Sequence, residues 1–180
     1  MSIGAKSQLS YVFLVCSERS GSNLIREIIG GHSKVYAPPS LHIGRHLGAR
    51  FYHYVIGGRN AQLQSLIKIE LEKRIERHFG PDKARDFKDF IEKKKFHDFD
   101  DIFDLIYIFL SSGSGKKMIF IKENNIIEQM PYILHHFPDS KFVFQVRDPR
   151  DYFASVISLK NGWLRSKYGS TKHALDVWRS

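Results

Sequence analysis

An apolar run, Tyr11-Val12-Phe13-Leu14-Val15-Cys16, gives way to Ser17-Glu18-Arg19-Ser20-Gly21-Ser22-Asn23-Leu24, after which Leu24, Ile25, Ile28 and Ile29 recur at helical spacing. This junction constrains the chain more than any other stretch. A short apolar run closed by turn residues reads as a buried strand, and the change of period marks a helix start. The first N–H groups of a helix have no intrahelical partners, and the helix dipole adds positive potential there. Such a junction is a ready anion site. Ser20, Gly21 and Ser22 keep the backbone accessible, and Arg19 adds a permanent positive charge. The chemistry suggested is the binding of a phosphate or a sulfated phosphate. A plain strand-to-helix turn is the alternative for these residues taken alone. No Walker A string, Gly-x-x-x-x-Gly-Lys-Ser/Thr, occurs. Gly113-Ser114-Gly115-Lys116-Lys117 lacks that spacing and precedes a strand, so it reads as a solvated turn.

A second junction lies near the carboxyl end. Phe142-Val143-Phe144-Gln145-Val146 reads as another buried strand, followed by Arg147-Asp148-Pro149-Arg150-Asp151 and a helix carrying Phe153, Val156, Ile157 and Leu159. Pro149 suits the first helical position, Asp148 the N-cap, and Asp151 the third position of a capping-box-like pair. Ser155 falls two turns along on the face of Asp148 and Asp151. Arg147 and Ser155 can therefore flank one small anion. The alternative is an arginine paired with a local carboxylate and a serine used in helix packing. Both junctions sit at the carboxyl ends of predicted parallel strands, the edge at which open α/β sheets bind ligands. Two anion sites there imply a ligand with two separated phosphates.

Periodicity predicts strands at 11–16, 118–122 and 141–147, and helices at 22–31, 61–79, 82–95, 100–111, 125–136 and 149–160, with 172–179 also helical. Residues 47–57 are ambiguous and are closed by Gly57-Gly58. The alternation argues for an α/β fold with a mainly parallel sheet flanked by helices, in three layers. Three helices within about 60–112 interrupt the alternation as a helical insertion, placed as a lid or a specificity element for whatever the sheet edge binds. At 180 residues the chain is expected to form one domain, 1–180, with a real core. Aromatic residues Phe51, Tyr52, Tyr54, Phe79, Phe87 and Phe90 read as core before ligand pocket.

The single cysteine, Cys16, rules out an internal disulfide framework and fits a reducing, cytoplasmic location. At a strand end it reads as a small core residue. No signal peptide or apolar span of membrane length is visible. The formal net charge is +9, which leaves nucleic acid, acidic membranes and small anions open as partners. Much of the excess lies in 68–95, where both signs alternate as on a solvated helical surface, with Glu70 and Arg74 favourably spaced. No nucleic-acid-binding signature accompanies it, so nucleic acid ranks low.

With these motifs in view, the chain resembles the sulfotransferase family, which uses 3′-phosphoadenosine 5′-phosphosulfate (PAPS). Residues 17–24 look like its 5′-phosphosulfate loop in the bacterial Arg-Ser-Gly-Ser form. Arg147 and Ser155 look like its 3′-phosphate motif. Gly31-His32-Ser33-Lys34-Val35-Tyr36-Ala37-Pro38-Pro39-Ser40-Leu41-His42 is similar to the segment after the first helix in bacterial members, and Lys122 to the lysine that helps bind the transferring group. The resemblance spans about 11–178 and is weak at 48–115.

It implies a P-loop-like fold and a donor site made of Arg19, Ser20, Gly21, Ser22, Asn23, Arg147 and Ser155, with adenosine 3′,5′-bisphosphate as product. It implies Arg19 against the leaving phosphate and Lys122 against the sulfonate. The acceptor it implies is a small-molecule or carbohydrate hydroxyl, with sugar, lipid, polyketide and small phenol all open, and such a hydroxyl needs a general base. Bacterial relatives commonly carry glutamate where this chain has Ser40, and soluble eukaryotic members carry histidine where it has Asn124. His42 and Glu123 are the nearest candidates, and His42 has the better intrinsic pKa. A hydrogen-bonded loop histidine is the other reading of His42. His32 is expected to cap helix carbonyls, and His135-His136 point apart, so no metal site is expected. Family members run longer than this chain, which stops mid-helix by pattern at Ser180. The expectation is a donor site without the family's late Gly-rich basic loop. A weakly active or inactive bisphosphate-binding module is therefore the alternative to a working transferase. An ATP-dependent phosphotransferase ranks below both, and the sequence does not give the oligomeric state.

Overall fold

A computed structural model describes residues 9–43, 61–94, 99–124, 126–158, 172, 173 and 176. The run at 10–16 forms β1 (Ser10–Cys16), the central strand, because alternate residues serve two cores. Tyr11, Phe13 and Val15 face a large cluster with Ile119 and Ile121, whereas Leu14 faces a smaller one with Val35 and Phe120. The other strands are β2 (Val35–Tyr36), β3 (Met118–Ile121) and β4 (Lys141–Gln145). They form one four-stranded sheet in the order β2-β3-β1-β4. Every pairing is parallel, with Tyr11 opposite Ile119, Val35 opposite Met118, and Cys16 opposite Gln145. The expected parallel α/β sheet flanked by helices is what the chain forms.

Helix α1 (Ser22–Gly30) covers the smaller core. Only Ile25 and Ile29, one turn apart, pack there, together with Cys16. Leu24 and Ile28 remain exposed, so the apolar stripe is narrower than the sequence pattern suggested. The other face carries α2 (Ala61–Phe79), α3 (Pro81–Glu92), α4 (Phe99–Ser111) and α5 (Ile126–His136). Helix α2 ends where Gly80 takes φ +87° and Pro81 opens α3, the punctuation predicted. The insertion is tied to the sheet by aromatic rings: Phe103 of α4 lies 5.5 Å edge-on from Tyr11, and the Tyr11 hydroxyl donates to Asp104. Phe87 is fully buried, and Phe79 and Phe90 pack on the same cluster, so these three are core. Phe51, Tyr52 and Tyr54 lie outside the described residues.

Helix α6 (Pro149–Ile157) starts as predicted. Asp148 caps it, accepting from the Arg150 N–H at 2.8 Å. Strand β4 is a correction. Its apolar run predicts a buried strand, yet Phe144 is 67% exposed and Val143 is exposed as well. Among the described residues β4 pairs only with β1, and as the outer strand it has one residue, Phe142, packed against the large core. In 172–179, residues 172, 173 and 176 are helical and the rest lie outside the described residues. Among the described residues, no helix is long and apolar enough to cross a membrane.

Candidate functional site

The turn after β1 is built from backbone conformations that side chains rarely adopt. Arg19 has φ +68° and Gly21 φ +87°. Gly21 is the N-cap of α1, and no side chain caps the helix. The N–H groups of Leu24 and Ile25 both go back to the Gly21 carbonyl, at 3.0 and 3.3 Å, so the N–H groups ahead of them are the ones left to serve a ligand. A side chain at 21 would be strained, and its Cβ would lie 3.7 Å from the Gln145 amide. That amide donates to the Ser20 carbonyl at 2.7 Å and ties the turn to the end of β4. Ser20 Oγ is buried with no hydrogen-bond partner among the described residues.

Because β1 and β4 are neighbours, the two sequence junctions meet. Arg19 reaches across to α6, donating from Nε and Nη2 to Ser155 Oγ at 3.1 and 2.9 Å. Arg147 donates to the Arg19 carbonyl at 2.7 Å. The sequence pairs Ser155 with Arg147, whereas the structure gives its hydroxyl to Arg19. Both arginines and Ser155 nonetheless border one cleft of about 390 Å³, which Gly21, Ser22, Asn23, His42 and Lys122 also line. The cleft opens at the carboxyl ends of β1, β3 and β4, beside the strand where the sheet order switches direction.

The opposite wall is built on Glu123, which follows β3. Its side chain is 4% exposed and turns toward the loop after β2. Oε1 accepts from the Leu41 N–H at 2.8 Å, and Oε2 accepts from Ser40 Oγ at 3.0 Å. Ser40 Oγ also lies 3.2 Å from His42 Nδ1. Burial raises the Glu123 carboxyl from its ordinary value to about 7, against the opposing pull of the Ser40 hydroxyl, the Leu41 and His42 N–H groups and the Lys122 charge. His42 adopts φ +54°, an uncommon conformation for a residue with a side chain. Lys122 Nζ donates to Asn124 Oδ1 at 2.9 Å, and Asn124 Nδ2 donates to Glu18 Oε1 at 3.2 Å.

Of the residues named from sequence, Arg19, Gly21, Ser22, Asn23, His42, Lys122, Arg147 and Ser155 line the cleft, and Ser20 lies buried beneath the turn. Sequence reasoning missed Glu18 and the structural use of Asn124, both of which line it too. It named Glu123 and His42 separately and treated Ser40 only as an absent glutamate. The approach of Glu123 to Ser40 spans 83 positions and follows from β2 lying beside β3. The His32 backbone N–H caps the Ile29 carbonyl at 3.0 Å, whereas its side chain turns to the next loop, Nδ1 accepting from the Lys34 N–H at 3.1 Å. The rings of His135 and His136 stand at 87° to one another, and His136 stacks on Tyr132. Among the described residues no group of three or more His, Cys, Asp or Glu side chains is placed to hold a metal ion.

The sequence model of the sulfotransferase family matches residues 11–180. No curated protein matches the chain. The matched span takes in both strand-to-helix junctions, all four strands of the parallel sheet except the first residue of β1, and every residue lining the cleft; the chain belongs to the sulfotransferase family of transferases.

Proposed function

We propose that the chain moves a sulfuryl group from PAPS to an acceptor hydroxyl, with Arg19, Lys122 and His42 as its catalytic residues. One observation carries the reading. Three cationic side chains from three strand ends, Arg19 after β1, Lys122 after β3 and Arg147 after β4, border one cleft together with the uncapped start of α1. The Ser20 hydroxyl, without a hydrogen-bond partner among the described residues, and the side-chain-free Gly21 fit an oxyanion held against this turn. The donor, when bound, supplies a sulfuryl group on a phosphate leaving group.

The protein's part is positioning and charge stabilisation, as in the analogous phosphoryl transfers. The N–H groups at the start of α1 hold the 5′-phosphate, and Arg19 stabilises the oxygen that leaves with it. Arginine stays charged and so stabilises that oxygen without donating a proton. Lys122 offsets charge on the sulfonate oxygens. Arg147 and Ser155 bind the 3′-phosphate. His42 accepts the proton of the acceptor hydroxyl as the S–O bond to the phosphate breaks and the bond to the acceptor oxygen forms. A small-molecule or carbohydrate alcohol fits this chemistry, and the single cysteine fits work in the reducing cytoplasm.

Titration calorimetry with adenosine 3′,5′-bisphosphate, together with transfer from labelled PAPS to a panel of alcohols, tests the reading. Binding with transfer is expected. Binding without transfer to any alcohol points to a bisphosphate-binding module, and ATP turnover that requires Mg²⁺ overturns the donor assignment.

A further inference from the structure

Glu123, Ser40 and His42 form a chain in which the direction of the Ser40 hydroxyl bears on which state of Nδ1 it can meet. Ser40 Oγ lies between Glu123 Oε2 at 3.0 Å and His42 Nδ1 at 3.2 Å, and the direct Nδ1 to Oε2 distance is 3.8 Å. An ionised carboxylate only accepts, and a serine hydroxyl has one proton to donate. With Glu123 ionised, Ser40 must donate to it, so Ser40 Oγ can only accept from His42. The ring then carries its proton on Nδ1. With Glu123 neutral the chain can run the other way: the carboxylic acid donates to Ser40, Ser40 donates to Nδ1, and the ring proton moves to Nε2.

We propose that Glu123 is a positioning residue that, through the Ser40 hydroxyl, holds the His42 proton on Nδ1 and so keeps the Nε2 lone pair as the basic site. The proposal deepens the reading of His42 as the base, but the tautomer itself stands whether or not the chain transfers sulfuryl groups. The surroundings make the chain rigid. The Leu41 N–H holds Glu123 Oε1, and Arg74 of α2 donates to the Leu41 carbonyl at 2.9 Å while pairing with Glu70. The groups that act on Glu123 are Lys122 on its own segment, the backbone of His42, and Tyr107 of α4, whose hydroxyl burial and the Glu123 charge keep protonated. Beyond Tyr107 lie Tyr11 of β1 and Tyr36 of β2. Lys122 and the two backbone N–H groups favour the ionised carboxylate against its burial.

The test reads the ring nitrogens directly, by ¹⁵N NMR of the labelled full chain. At about pH 9, well above the value of about 7 to which burial raises the Glu123 carboxyl, His42 of the unaltered protein is expected as the Nδ1–H tautomer. In Glu123→Gln the Leu41 N–H keeps the amide oxygen on its side and turns the NH₂ toward Ser40. Ser40 then donates to Nδ1, and the Nε2–H tautomer is expected, with transfer slowed about 10²-fold and bisphosphate binding kept. In Ser40→Ala the tautomer is no longer held on Nδ1. An Nε2–H tautomer in the unaltered chain overturns the proposal without any variant. So does an Nδ1–H tautomer that persists in both variants. Failure of bisphosphate binding in the unaltered chain strikes the functional reading instead and leaves the tautomer result standing.

Discussion

The two walls of the cleft hold charge in opposite ways. On the wall formed by the ends of β1 and β4, Arg19 is exposed, and so are Asp148 and Arg150 beside it. Charges in water cost little to keep, and their mutual pairing is worth little. Asp148 is held at about 2 by the Arg150 side chain and N–H; the side-chain pair lies in water and adds little, and it is the N–H bond that caps α6. On the wall formed after β2 and β3, one carboxyl is almost wholly enclosed, and burial has moved its titration into the physiological range. On the proposed reading, the contrast separates two tasks. Exposed cations attract and orient an anion, and enclosure tunes a proton.

Substitutions on each wall should therefore fail differently. The largest effect is expected for Arg19→Ala, with kcat lowered about 10³-fold and donor affinity changed far less, measured by single-turnover transfer from labelled PAPS. An unchanged rate constant would remove Arg19 from the chemistry.

The next concerns stability against pH. The folded-state value of Glu123, about 7, lies above the ordinary 4.5, so folding takes up a proton between them. The stabilisation is fully present below pH 4.5 and is lost as pH rises through about 7. Relative to Glu123→Gln, the unaltered chain should lose about 3 kcal/mol of unfolding free energy across that window in denaturant titrations. Parallel curves for the two proteins would mean that the carboxyl is not enclosed in solution.

Arg147→Ala should weaken adenosine 3′,5′-bisphosphate roughly 10- to 100-fold, and a nucleotide lacking the 3′-phosphate much less. Equal losses for the two ligands would refute its assignment to that phosphate. The smallest effect is expected for Asp148→Ala, a drop of a few degrees in Tm from a lost helix cap, with transfer preserved.

What the sequence disclosed follows the same division. The wall at β1 and β4 was legible because each half is local: an apolar run, a turn and a helix start are neighbours in the chain. The bounds of α2 were legible because Gly80 and Pro81 punctuate them. The grip of Arg19 on Ser155 was not, because it spans 136 positions and exists only when β1 and β4 are adjacent. The Glu123 wall was harder still. Ser40 looked like a lost glutamate, while the carboxylate arrives beside it from the end of another strand. The exposure of Phe144 was misread for the same reason. An apolar run announces a strand but not whether both its faces are covered.

Arg19 itself sits in the left-handed region, φ +68°, where glycine rests without strain. Replacing it by glycine should relax the turn and raise resistance to unfolding while silencing the protein. A selection for folding alone would drift toward glycine at this position. On the proposed reading, the strain at this turn is what it costs to carry a guanidinium into the cleft.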